Sequence, residues 1–215
     1  MQVTVRSGDT FWYYSQLFQV PLGLIAASNP AVNPALLQPG QAVQIPGYVT
    51  DAYSIQAGDT LWKLAASMGW PVDALLLVNP GIRPEALTVG QTVRIPRRIN
   101  QWVVNVNRPY NYAALTEDLR RLTELYPFLR QRSIGNSVMK KPIPEIVVGV
   151  GNRRVHANGS FHANEWITTP VLVGFLNEYA LSLTNGRSIG GQNPNTLYQA
   201  VTLSVVPMVN PDGVD

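Results

Sequence analysis

The 215-residue chain contains no cysteine, only two histidines (His156 and His162), and charged residues at just 13% of positions. Without cysteine there is no disulfide framework, no thiolate zinc site, no iron–sulfur cluster and no cysteine nucleophile. Two imidazoles cannot complete a metal site built mainly of histidine. The charged fraction is about half the ~25% usual in soluble domains, and the net charge of +3 comes from scattered basic residues with short pairs such as Arg97-Arg98 and Lys140-Lys141. No basic stripe interleaved with aromatics is present, so no nucleic-acid partner is expected. No apolar run approaches the ~18–20 residues that cross a bilayer, so no membrane partner is expected. What the chain does have is a hydrophobic content of 46%, which excludes a disordered chain, and 17 glycines with 17 prolines, which imply many turns. Its length allows one large domain or two to three small ones.

A shift of 50 residues aligns residues 3–46 with 53–96 without a gap, giving 14 identities in 44 positions. Gly8-Asp9-Thr10-x-Trp12 matches Gly58-Asp59-Thr60-x-Trp62, Asn29-Pro30 matches Asn79-Pro80, and Gly40-Gln41-x-Val43-x-Ile45-Pro46 matches Gly90-Gln91-x-Val93-x-Ile95-Pro96. Each unit reads as β-α-α-β. A short alternating strand meets a Gly-Asp turn, Asp or Thr caps a helix, a second helix follows Pro71, and an alternating strand ends on proline. So small a unit has a thin core, which Trp12 and Trp62 are expected to fill. Gly47 to Ala52 is expected to be a short linker.

The repeated motifs resemble the lysin motif, LysM, a carbohydrate-binding module. The resemblance covers residues 2–98 and implies binding of N-acetylglucosamine glycans, namely peptidoglycan or chitin. It places the glycan groove between the first β-α turn and the segment before the last strand. The residues implied are Gly8, Asp9, Thr10, Asn29 and Pro30 in the first unit, and Gly58, Asp59, Thr60, Asn79, Pro80 and Ile82 in the second. Taken only as local structure, the same residues are turn and cap formers.

After Arg98 the pattern changes. Trp102 to Val106 reads as a strand or ordered connector. Asn111 can cap a helix over 112–126, with Leu115, Leu119 and Leu122 as its apolar stripe and Pro127 beyond it. Ile143 to Val150 reads as a buried strand, Gly151-Asn152 as a tight hairpin turn, and Arg154 to Asn158 as the next strand. A helix is expected from about Glu165 to Leu183, then a buried strand over 201–208. Hairpins mixed with crossovers imply an α/β domain with a mixed sheet. His162 and Glu165 stand three apart where a strand enters a helix, and both could reach one zinc ion. His156 is expected to be structural or to act behind a ligand.

This half resembles the zinc carboxypeptidase (M14) family. The helix before Ile134-Gly135-Asn136-Ser137, the His162-Ala163-Asn164-Glu165-Trp166 segment, and Asn210-Pro211-Asp212-Gly213 carry the resemblance, in that order. It implies Zn2+ as cofactor with His162 and Glu165 as two of its ligands. The family's carbonyl-polarising arginine, third ligand histidine and general-base glutamate lie beyond its Asn-Pro-Asp-Gly segment. They are expected downstream of Asp215 or on a second chain.

The expected fold class is therefore multidomain α+β and α/β. Two βααβ LysM modules (2–48 and 52–98) precede an incomplete, carboxypeptidase-like domain with a mixed sheet (99–215). Joined to LysM, the peptidase resembles enzymes that hydrolyse the γ-D-glutamyl bond to diaminopimelate or lysine in peptidoglycan stem peptides. Two alternatives remain open: a non-catalytic glycan-binding protein with a vestigial peptidase half, and an ordinary metallocarboxypeptidase targeted to the cell wall. Met1-Gln2-Val3-Thr4 shows no leader, so a cytoplasmic location, including sporulating cells, is expected; a removed leader would instead place the protein at the wall.

Overall fold

Thr10 and Thr60 start the first helix of each repeat in the same way. Both adopt extended backbone, and their hydroxyls accept from the amides of Tyr13 (3.0 Å) and Lys63 (3.2 Å). Capping of this kind satisfies a donor that the first turn leaves unpaired. In the computed structural model, which describes residues 1–215, the first repeat comprises β1 (Gln2–Thr4), α1 (Phe11–Phe18), α2 (Leu22–Ala27) and β2 (Ala42–Gln44). The second comprises β3 (Tyr48–Ser54), α3 (Leu61–Ser67), α4 (Val72–Val78), a 3-10 turn at Pro84–Ala86 and β4 (Thr92–Arg98). β1 pairs antiparallel with β2, and β3 with β4. Both repeats lie in one compact unit, Met1–Ile99, and Asn100–Asp215 forms a second. No single helix is long and apolar enough to cross a membrane.

Two expectations fail here. Trp12 and Trp62 are 63% and 56% exposed and do not fill the cores. Helical phase explains it. Capping at Thr10 makes Phe11 the first helical residue, so Phe11, Tyr14, Ser15 and Phe18 face inward and Trp12 falls on the outer side. Leu61, Leu64 and Ala65 do the same in the second repeat. The expected linker is also mostly strand: residues 48–52 belong to β3, with Tyr48 opposite Arg98 and Asp51 opposite Ile95.

The second unit begins with an ordered, non-strand segment whose Val103 and Val104 amides donate to Asn177 Oδ1. Asn111 caps α5 (Tyr112–Leu125) through the Ala114 amide, as expected. Then come β5 (Arg130–Asn136), β6 (Pro142–Val148), β7 (Arg153–Asn158), α6 (Thr168–Asn185), α7 (Pro194–Ala200), β8 (Val201–Val206) and the one-turn α8 (Pro211–Val214). The sequence reading passed over α7, although Asn193 caps it and Pro194 opens it. Leu115, Leu119 and Leu122 of α5 and Leu176, Ala180 and Leu183 of α6 are buried with Ile146, Val148 and Val205 of the sheet.

The sheet is mixed, in the order β5-β6-β8-β7, with only the β7–β8 pair parallel. The expected hairpin between β6 and β7 is absent because β8 lies between them. Gly149 and Gly151 serve this crossing rather than a turn. A Cβ on Gly149 would stand 2.0 Å from the Val201 carbonyl oxygen, and one on Gly151 would stand 1.9 Å from the Ala200 carbonyl carbon. Across the other face, Glu145 accepts from Arg132 and from Ser204 Oγ (2.5 Å), and Ser204 meets His156 Nδ1 at 2.9 Å. His156 thus belongs to a polar ladder over all four strands.

Candidate functional site

The chain leaves β7 at Asn158, continues alongside residues 209–210, and turns before α6. Val209 and Asn210 donate to the carbonyls of Gly159 and Ser160 (3.0 Å each). The turn holds His162 and Glu165. The Glu165 amide bonds the His162 carbonyl at 3.1 Å, and His162 Nδ1 lies 2.9 Å from Glu165 Oε1. Both side chains are open to solvent, at 70% and 45% exposure. Hydrogen bonds from the His162 side chain and backbone hold the Glu165 carboxyl below the ordinary carboxylate range, so it stays ionised. α6 starts only at Thr168, so Glu165 is a turn residue rather than a first-turn helix residue as expected.

Three hydroxyls that the sequence reading passed over fix this turn. Ser160 is 1% exposed and holds a left-handed φ of 46°. Its amide donates to Thr168 Oγ1 at 2.6 Å, and its hydroxyl meets Thr169 Oγ1 at 2.6 Å. Thr168 donates to the Glu165 carbonyl (2.8 Å), and Thr169 to the Pro207 carbonyl (2.7 Å). The signal available was a cluster of Ser and Thr around His-x-x-Glu, which is weak without the fold.

Two motifs singled out separately prove to be partners. Asp212 accepts from Ser137 Oγ (2.8 Å) and the Met139 amide (2.9 Å), which ties Asn-Pro-Asp-Gly to the end of Gly-Asn-Ser. Gly213 packs on the His162 turn, where a Cβ would stand 2.9 Å from Ala163 Cβ. Asp212 is thereby a structural carboxylate.

The residue types at the turn suit a zinc ion, which accepts imidazole nitrogen and carboxylate oxygen together. His162 Nδ1 and a Glu165 oxygen already converge. No cluster of three or more His, Cys, Asp or Glu side chains that could hold a metal ion is formed, so this chain offers two donors of such a site.

The residues implied for glycan contact have mostly internal work. Asp9 accepts from the Arg6 amide (2.9 Å) and the Tyr14 hydroxyl (2.8 Å); Asp59 accepts from the Gln56 amide (2.7 Å) and the Tyr53 hydroxyl (3.0 Å). Thr10 and Thr60 are helix caps. Asn29 bonds the Ile25 and Gln44 carbonyls and the Gln44 amide, and Asn79 does the same with Leu75 and Arg94. Gly8 and Gly58 turn the backbone at φ of 86° and 84°. The surfaces left to a ligand are the backbone of these turns, exposed Pro30 and Pro80, and half-buried Ile82.

Asymmetric positions of the repeat join the modules. Arg6 forks onto Asp73 through Nη1 (2.7 Å) and Nη2 (2.8 Å), and the Tyr13 hydroxyl bonds the same carboxylate. Phe18, Tyr48 and Trp70 form an aromatic cluster with centroids 5.5 to 6.1 Å apart, and Arg98 donates to the Tyr48 hydroxyl at 2.6 Å.

The molecule thus joins a pair of repeated βααβ modules to a mixed sheet carrying His-x-x-Glu at a strand end, the arrangement of a tandem LysM segment followed by a carboxypeptidase-like domain. Comparison with known families agrees: residues 3–46 and 53–96 match the LysM domain, and residues 115–215 match the zinc carboxypeptidase family. The carboxypeptidase match implies zinc, and the LysM match implies glycans containing N-acetylglucosamine. Gamma-D-glutamyl-L-diamino acid endopeptidase 1 of Lysinibacillus sphaericus is 60% identical over 215 residues, 100% of this chain and 54% of its own length. YqgT of Bacillus subtilis (strain 168) is 43% identical over 108 residues, 49% of this chain and 29% of its own. The chain therefore spans about half, or less, of the curated relatives it matches. Among solved structures, the LysM domain of a Volvox carteri chitinase is 41% identical over 23% of this chain and 100% of its own, with a TM-score of 0.22.

Proposed function

We propose that these 215 residues are the wall-binding and metal-binding part of a zinc peptidase that hydrolyses the γ-D-glutamyl bond to a diamino acid in peptidoglycan stem peptides. The observation that carries the reading is the 60% identity to an endopeptidase of that name along all 215 residues, modules and peptidase segment together. His162 Nδ1 and the Glu165 carboxylate would hold the ion, and the Ser160, Thr168 and Thr169 hydroxyls keep the turn in place for them. Bound zinc would supply Lewis acidity to the scissile carbonyl and lower the pKa of its water. The LysM modules hold the glycan and so raise the local concentration of attached stem peptides. A complete site of this kind needs a further ligand and a proton-transferring group besides these two donors.

The test uses the whole protein carrying this chain, loaded with zinc, and two substrates: an L-alanyl-γ-D-glutamyl-diaminopimelate peptide and a standard peptide with a free C-terminus. Mass spectrometry should show cleavage of the γ-D-glutamyl bond, abolished by His162→Ala and by Glu165→Gln. Cleavage of the standard peptide alone would identify an ordinary carboxypeptidase. Cleavage of neither, with wall binding retained, would leave a glycan-binding protein.

A further inference from the structure

The hairpin loop between β5 and β6, residues 137–141, stands at the same end of the sheet as the His162 turn. β7 and β8 run parallel, and their ends lead into His162 and Asn210. β6 runs antiparallel to β8, so the start of β6 lies at that same end. Only β8 separates β6 from β7 in the sheet. Two strand spacings put the loop roughly 10 Å from the line of β7. An extended peptide of about three residues spans that distance.

The loop is fixed from inside and outside. The Ser137 amide donates to the Lys141 carbonyl (2.9 Å), the Lys140 amide to the Ser137 carbonyl (3.1 Å), and the Lys141 amide to Ser137 Oγ (3.0 Å). Asp212 accepts from Ser137 Oγ and the Met139 amide, so its carboxylate is occupied. Lys141 is paired with Asp215. What the loop turns outward is Val138, 94% exposed, Met139, 69% exposed, and the exposed Lys140. Lys140 forms no salt bridge of the kind that Lys141 makes. Its backbone is left-handed, at φ of 67°. Such strain persists only where the surrounding structure holds it, and it gathers at ligand contacts.

We propose that this hairpin is a substrate contact of the peptidase. Val138 and Met139 give apolar surface to the stem peptide, and Lys140 pairs with one of its free carboxylates. The α-carboxylate of the γ-linked D-glutamyl residue and the side-chain carboxylate of diaminopimelate offer the same chemistry. The inference rests on the stem-peptide reading above and deepens it. Lys140 determines specificity and takes no part in breaking the bond.

The test uses the whole zinc-loaded protein and three peptides: L-alanyl-γ-D-glutamyl-diaminopimelate, the same peptide with the glutamyl α-carboxylate amidated, and the same peptide with lysine in place of diaminopimelate. The unmodified protein should prefer the first over at least one of the others by about fivefold in kcat/KM, through KM, as an exposed ion pair allows. The analogue that is disfavoured names the carboxylate. Added salt should shrink the preference. Lys140→Gln should remove it by raising KM for the preferred peptide. Lys140→Gly should remove it too, and it suits the left-handed backbone, so it serves if Lys140→Gln does not fold. A purely structural role would slow all three peptides alike and keep their ratio. No preference in the unmodified protein, or one that survives both variants, overturns the contact and leaves the stem-peptide reading intact. Cleavage of none of the three peptides overturns both.

Discussion

Gln19 and Gly69 occupy equivalent positions at the ends of α1 and α3, and both are left-handed, at φ of 50° and 70°. An L side chain there costs about 1–2 kcal/mol, partly offset by the greater freedom of glycine in the unfolded chain. Gln19→Gly should therefore stabilise the first unit by about 0.5–1 kcal/mol, read as a higher urea midpoint. Gly151 is the opposite case. Its Cβ would lie against the Ala200–Val201 backbone, which cannot rotate away. Gly151→Ala should destabilise by about 3 kcal/mol in the same assay, the upper range for overpacking. Gly-Asn in sequence looks like a hairpin turn, and only the neighbouring strand reveals why glycine is there. The helical phase of Trp12 was more readable, since Phe11, Tyr14 and Phe18 already marked the inner face.

At the scale of elements, identities and differences between the repeats carry separate information. The identical positions build each module: Thr10 and Thr60 cap, Asn29 and Asn79 tie a helix end to a strand, and the glycines turn. These were legible in one sequence because they occur twice. The pairing of modules rests on positions that differ, such as Arg6 against Gln56 and Asp73 against Gly23, and nothing in the chain order says that these meet. Their pairing has a pH signature. Hydrogen bonding from Arg6 holds the Asp73 carboxyl below its ordinary 3.8 in the folded chain. Its contribution is fully present above the unfolded value and is lost as pH falls through the lower, folded one. Asp73→Asn should cost about 1 kcal/mol or less near neutrality, since the pair is partly exposed. That difference should vanish in denaturation curves taken from roughly pH 5 down to pH 2.

For the whole molecule, His162-x-x-Glu165 is weak by itself in sequence and stands out only beside the Gly-Asn-Ser and Asn-Pro-Asp-Gly motifs, while the hydroxyls that support it do not stand out at all. Ser160, Thr168 and Thr169 act across a turn whose shape depends on one positive φ, and Asp212 reaches Ser137 from the far end of the domain. Two donors make a poor zinc site alone, because affinity grows with ligand count and geometry. The 215-residue chain should bind zinc more weakly than micromolar, by competition with a chromophoric chelator. The whole protein should bind it far more tightly and lose that on His162→Ala. The position of β8 bears on a different matter, the order in which the domain can form. β6 and β7 are neighbours in sequence but share no hydrogen bonds; β7 is joined to the sheet only through β8, which begins at Val201, and β6 pairs with β5 on one side but needs β8 on the other. On a ribosome, one edge of β6 and the whole of β7, residues 153–158, would emerge and wait unpaired until α6 and α7 had followed them. Such a delay is the usual cost of non-local pairing, and it makes this stretch the part of the nascent chain most in need of protection.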